Sequence, residues 1–162
     1  TSKYALNNVY QELRKKPGSR DLPIFAQLRG SSRHAIIQGM HRTRNGILLG
    51  TNAFWEGIDL PGELLEILIL AKLPFGVPSE PIIKAYSNLL QSLDKNPFLE
   101  FNVPESVIKF RQGFGRLIRT SQDVGAFFVM DERVVKKRYG TSFSDSIPVR
   151  MDLFSNLNEI RI

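Results

Sequence analysis

Leu64-Leu65-Glu66-Ile67-Leu68-Ile69-Leu70-Ala71-Lys72-Leu73 is the most strongly apolar stretch of the 162-residue sequence. Apolar residues occupy both its odd and its even positions, as expected of a mid-sheet strand covered by helices on both sides. Shorter apolar runs at 22–28, 46–51 and 124–130 predict further strands. Between them the spacing turns helical. Residues 3–16 place Tyr4, Leu6, Val9, Tyr10 and Leu13 at near-helical intervals, with Pro17-Gly18 as the stop. Ser31-Ser32 can cap a helix through Ile36, Ile37 and Met40. A third helix begins near Ser79-Glu80-Pro81, with Ile82, Ile83, Tyr86, Leu89, Leu90 and Leu93 inward, and 95–103 reads as an irregular connection. Pro104 then opens the helix that ends near 119, and a closing helix is expected at about 151–160. Strands alternating with helices predict an α/β fold, a mostly parallel sheet with helices on both faces, in one domain over 1–162.

Apolar residues make up 42% of the chain, enough for a real core. No run of about 18 apolar residues could span a bilayer, and no secretory leader is visible, so a soluble cytoplasmic protein is expected. With no cysteine, the chain can hold neither a disulfide, a thiolate metal site nor a cysteine-ligated iron–sulfur cluster. His34 and His41 are too few for a zinc site, so no metal site is expected. The net charge of +6 favours polyanionic partners, although only clustering on one edge would make it a nucleic-acid track.

Chemistry concentrates in Gln112-Gly113-Phe114-Gly115-Arg116-Leu117-Ile118-Arg119. On a helix, steps of three and four residues put Gln112, Arg116 and Arg119 on one face, while Phe114, Leu117 and Ile118 form the apolar face. A guanidinium is permanently charged and its planar fork suits phosphate oxygens; an amide can orient a water. Taken alone, the segment reads more readily as a solvated basic face, the usual meaning of a charge run on a helix. A second segment bears on the choice: Gly50-Thr51-Asn52-Ala53-Phe54-Trp55-Glu56-Gly57-Ile58-Asp59-Leu60-Pro61-Gly62 follows the apolar run Ile47-Leu48-Leu49 as a strand end entering a glycine-bounded turn.

Together these segments resemble motifs V and VI of superfamily 2 helicases, and with Leu73-Pro74-Phe75 and Pro78 they look most like the DinG branch of the XPD/DinG family. The resemblance covers nearly the whole chain. Residues 1–6 are similar to the second half of motif IV, Phe25-Ala26-Gln27-Leu28 to motif IVa, and 125–133 to the strand and Asp-x-Arg after motif VI. It implies a RecA-like second motor domain. In that family the motif IV Thr-Ser ends a buried strand, whereas here it stands at positions 1 and 2, so the sheet is expected to lack its first strand and the chain to be a piece of a larger protein.

No Gly-x-x-x-x-Gly-Lys-Ser/Thr loop and no Asp-Glu-Ala-His-like box occur, so ATP and its Mg²⁺ are expected to be held mainly by a first, N-terminal motor domain. The resemblance assigns Arg116 and Arg119 to the γ-phosphate as arginine fingers, Gln112 to the phosphate or attacking water, and Gly57 and Asp59 to the nucleotide-side turn. It places Thr1, Ser2, Gln27, Arg29, Gly30 and Thr51 along a single-stranded nucleic-acid track. Local sequence leaves Thr51 equally a helix cap and Gln27 equally a satisfied strand-end amide; Phe54 or Trp55 could stack on a base, but at least one belongs in the core. Asp131 reads as structural. Two whole-protein activities remain open, an ATP-dependent DNA helicase or an ATP-binding 3'-5' exonuclease with a motor-like half, beside a non-catalytic basic domain that only binds nucleic acid. The isolated chain is expected to be inactive.

Overall fold

The computed structural model describes residues 3–16, 22–43, 45–51, 54, 60, 64–120 and 122–160. Helix α1 (Lys3–Lys15) leads to strand β1 (Ile24–Ala26), helix α2 (Arg33–Thr43) and strand β2 (Ile47–Leu49). The Ser32 hydroxyl accepts from the Ala35 N–H at 3.3 Å, the expected cap of α2. β1 and β2 pair in parallel, with Ile24 opposite Ile47, so the intervening helix is a crossover connection. Strand β3 (Ile67–Leu70) pairs in parallel with β4 (Ala126–Val129), Ile67 opposite Ala126. Helices α3 (Pro81–Ser92) and α4 (Val103–Leu117) lie between them in sequence. Short helical turns follow: α5 (Arg133–Lys136), a 3₁₀ turn at Arg138–Gly140, α6 (Thr141–Ser144) and a 3₁₀ turn at Leu157–Glu159. The fold is α/β with parallel strands, as the alternation predicts.

Two apolar clusters match the two strand pairs. Leu70, Leu73, Val103, Phe110, Phe114, Phe143 and Ile147 form one; Ile36, Met40, Phe54 and Leu60 form the other. Phe110 lies 5.2 Å and Phe114 5.8 Å, ring to ring, from Phe127 of β4, so α4 lies on one face of the β3–β4 pair. Phe154 from the C-terminal segment meets Phe128 on the other face at 6.0 Å.

Several expectations are corrected. The 64–73 strand shrinks to four residues, and Ile67 and Ile69 are 50% and 60% exposed, so among the described residues β3 is not covered on both sides. The 124–130 strand shrinks likewise to Ala126–Val129, every residue of it half-buried. No residue of α3 is buried; Ile82, Tyr86 and Leu89, expected inward, are exposed, as is Leu93 beyond its end. The 95–103 connection is ordered instead: the Asn96 side-chain carbonyl accepts from the Phe98 and Leu99 N–H groups and starts a π-helical turn over Phe98–Asn102 that runs straight into α4. Nor does a closing helix form at 151–160. Glu159 there accepts from the Ser155 N–H and hydroxyl and from the Asn156 amide, local bonds that compete with a continuous helix.

Asp131, just past β4, ties the two chain segments that leave β3 and β4. Its carboxylate accepts from the Leu73 N–H at 2.8 Å and from Arg133 Nη2 at 2.6 Å. Arg133 in turn lies over the Phe75 ring at 5.2 Å, and Phe75 stacks on Phe98 at 5.4 Å. The Arg133 side-chain hydrogen bonds hold the Asp131 carboxyl at about 2; burial opposes them and the Leu73 N–H assists. Because the folded value lies below that of the unfolded chain, near 4, the stabilisation is fully present above about pH 4 and disappears as pH falls through about 2. Asp131→Asn is expected to cost about 2 kcal/mol in urea unfolding at neutral pH and to flatten the acid limb of the stability profile between roughly pH 4 and 2. An unchanged limb would remove Asp131 from that role.

Candidate functional site

The apolar side of α4 sets the direction of its polar side. Phe110, Gly113, Phe114 and Leu117 are buried, which leaves Gln112 and Gly115 exposed and Arg116 half-buried on the opposite flank. Gln112, Gly115, Arg116 and Arg119 together line one shallow concavity open to solvent. The expected single helical arc needs correction, because α4 ends at Leu117 and its cap Ile118 is extended, with φ −116 and ψ 104. Arg119 therefore lies beyond the helix.

What returns Arg119 to the concavity is Asp123, a residue that sequence reasoning did not single out. One of its carboxylate oxygens accepts from the Arg119 and Thr120 N–H groups, both at 2.8 Å, and these backbone bonds hold its carboxyl below the ordinary range. Arg119 Nε also donates to the Arg116 carbonyl at 3.4 Å, an interaction suited to the negative end of a helix. The signal was a carboxylate three and four residues after two backbone donors leaving a helix, which is also common in loops.

Gly115 is the second residue that was not anticipated. A Cβ built there would meet nothing within 4 Å. Packing does not require the glycine, and inside a helix it costs roughly 1 kcal/mol relative to alanine. The bare backbone instead leaves the concavity unobstructed at that point of its lining. Two guanidiniums and an amide around such a concavity suit an anion with several oxygens, such as a phosphate.

The second predicted group gathers at the carboxyl ends of β1 and β2. Gln27 Oε1 accepts from both the N–H and the hydroxyl of Thr51, at 3.0 and 2.9 Å, while the Gln27 N–H donates to the Leu49 carbonyl. The Thr51 hydroxyl donates to Gln27, and its backbone carbonyl receives the Phe54 N–H. Arg29 and Gly30 are exposed in the following turn, where Gly30 has φ 83 and Ser31 bonds to Ala26 and Leu28. Phe54 is core, 3% exposed. Thr1, Ser2, Trp55, Gly57 and Asp59 lie outside the described residues. Among the described residues no group of three His, Asp or Glu side chains could hold a metal ion, and no helix is long and apolar enough to cross a membrane.

The family model of the helicase C-terminal domain matches residues 1–150. The chain is 38% identical over 149 residues to the 3'-5' exonuclease DinG of Bacillus subtilis, covering 91% of this chain and 16% of that protein. It is 37% identical over 151 residues to the ATP-dependent DNA helicase DinG of Photobacterium profundum, covering 91% and 22%, and 37% identical over 127 residues to the ATP-dependent DNA helicase YoaA of Escherichia coli, covering 78% and 20%. It thus spans about a fifth of the length of these curated relatives. With motifs, parallel α/β fold and family match in agreement, the chain belongs to the helicase C-terminal domain family, among the DinG and YoaA proteins.

Proposed function

We propose that residues 1–162 form the second RecA-like motor domain of an ATP-dependent DNA helicase and complete its nucleotide site from across an inter-domain cleft. The convergence of Gln112, Arg116 and Arg119 on one concavity also lined by Gly115 carries this reading. The donor set fits a phosphate. Among the described residues no carboxylate lines that concavity to hold Mg²⁺, so the metal and most of the nucleotide fall to the first, N-terminal motor domain. ATP with its Mg²⁺ supplies the phosphoryl group.

Arg116 and Arg119 offer donors to the oxygens on which charge develops during transfer, and Gln112 orients the attacking water or holds the phosphate. Gly57 and Asp59, which lie outside the described residues, are assigned to the nucleotide side. Guanidiniums act strongly only in a closed, water-poor cleft, so nucleotide binding draws the two domains together and hydrolysis releases them. Thr1, Ser2, Gln27, Arg29, Gly30 and Thr51 lie along the single-stranded DNA track, gripping phosphates without reading sequence. Such a protein works in the cytoplasm, with its DNA.

A second reading shares this motor half and changes the whole protein's activity. The Bacillus subtilis relative is named a 3'-5' exonuclease, which favours a nuclease whose ATP-binding half includes this chain. Nuclease assays on the full-length protein, with and without ATP, separate the two.

In the full-length protein, Arg116→Ala and Arg119→Ala are each expected to lower ATP turnover by about three orders of magnitude while single-stranded DNA binding stays within about threefold. The reverse pattern, intact turnover with lost DNA affinity, would instead indicate a non-catalytic basic surface. Gly115→Ala is expected to raise the melting temperature, by up to about 1 kcal/mol of added stability, and yet to slow turnover, because its methyl group intrudes on the concavity. Unimpaired turnover in that variant argues against a ligand in the concavity. Multiple ATP turnovers by the purified 162-residue chain, which is expected to be inactive alone, would contradict the composite site.

A further inference from the structure

Arg33 is the first residue of α2, where the positive end of the helix dipole disfavours a cation, and the first turn holds no acidic residue to offset it. Helix stability does not account for an arginine there. Its Nη2 donates to the Phe54 backbone carbonyl at 2.6 Å, and its guanidinium lies 5.3 Å from the centre of the Phe54 ring. The ring is immobilised: Phe54 is 3% exposed and packs with Ile36, Met40 and Leu60.

The Phe54 N–H donates to the Thr51 carbonyl at 2.8 Å, which ties Phe54 to the carboxyl end of β2. Gln27 grips Thr51 through its N–H and hydroxyl. Arg33 grips Phe54. The two residues are therefore held by groups of β1's exit and of α2, and the guanidinium both bonds a carbonyl and rests on a ring. An ammonium is a compact point charge that cannot supply the planar stacking surface along with the bond.

We propose that Arg33 is a positioning residue that fixes Phe54 relative to Thr51 and so transmits single-stranded DNA binding to the rate of ATP turnover. This rests on the reading above, in which Thr51 contacts the strand and Gly57 and Asp59 border the nucleotide. Arg33 itself need touch neither ligand. Its effect belongs to the efficiency of coupling, so kcat at saturating DNA should respond and DNA affinity should not.

The test uses the full-length protein with Arg33→Ala, Arg33→Lys and Phe54→Leu, titrating an oligothymidine into a steady-state ATPase assay and measuring oligothymidine affinity and thermal melting alongside. Maximal stimulated turnover is expected to fall about tenfold in Arg33→Ala and nearly as far in Arg33→Lys, with DNA Kd within about threefold of wild type. Phe54→Leu, which keeps an apolar core group but removes the ring, should show an intermediate loss. Wild-type stimulation in both Arg33 variants overturns the inference, as does a loss that disappears when turnover is compared at equal distance below each variant's melting temperature. If wild type shows no DNA-stimulated turnover, or Arg116→Ala retains it, the underlying motor reading fails instead.

Discussion

Burial of Phe110, Phe114 and Leu117 beside β3 and β4 fixes the roll of α4 about its axis, and most of the candidate site follows from that roll. Rotating the helix to expose these groups would forfeit roughly 2 kcal/mol or more for each large side chain, far beyond what a surface guanidinium gains by reorienting. Gln112, Gly115 and Arg116 are consequently presented by the core, not merely left over from it. Arg119 is the exception: it lies past the helix end, and the Asp123 carboxylate places it through two backbone bonds.

The two strand pairs solve a shared problem in the same way. Parallel strands leave backbone donors at their carboxyl ends, where an α/β fold also tends to build its sites. Past β1, the Gln27 side-chain carbonyl receives the Thr51 N–H beyond β2; past β4, the Asp131 carboxylate receives the Leu73 N–H beyond β3. One tie is neutral and the other ionised, and each pins a loop of the neighbouring strand. In the first pair the Arg33 guanidinium adds a further grip, on the Phe54 carbonyl.

Much of this was legible in residue order. The spacing of Ile36 and Met40 gave α2, Ser32 its cap, Pro104 the opening of α4, and the motif resemblance the family. Less legible was anything decided by cross-chain packing. Ile82, Tyr86 and Leu89 have helical apolar spacing, but periodicity cannot tell whether a partner surface covers them. The helix over 98–102 depended on the Asn96 side chain, whose capping signal is shared with ordinary turns. Gly115 and Asp123 escaped notice because one contributes an absence of atoms and the other acts only on main-chain N–H groups.

The central claim is that Arg116 and Arg119 recognise a terminal phosphate held by another domain. Equilibrium binding of a non-hydrolysable ATP analogue and of ADP to the full-length protein addresses it without requiring turnover. The account predicts that the wild-type protein prefers the triphosphate, and that the double variant Arg116→Ala/Arg119→Ala loses this preference while ADP affinity is unchanged. A double variant that still discriminates the triphosphate from ADP as wild type does would contradict the account.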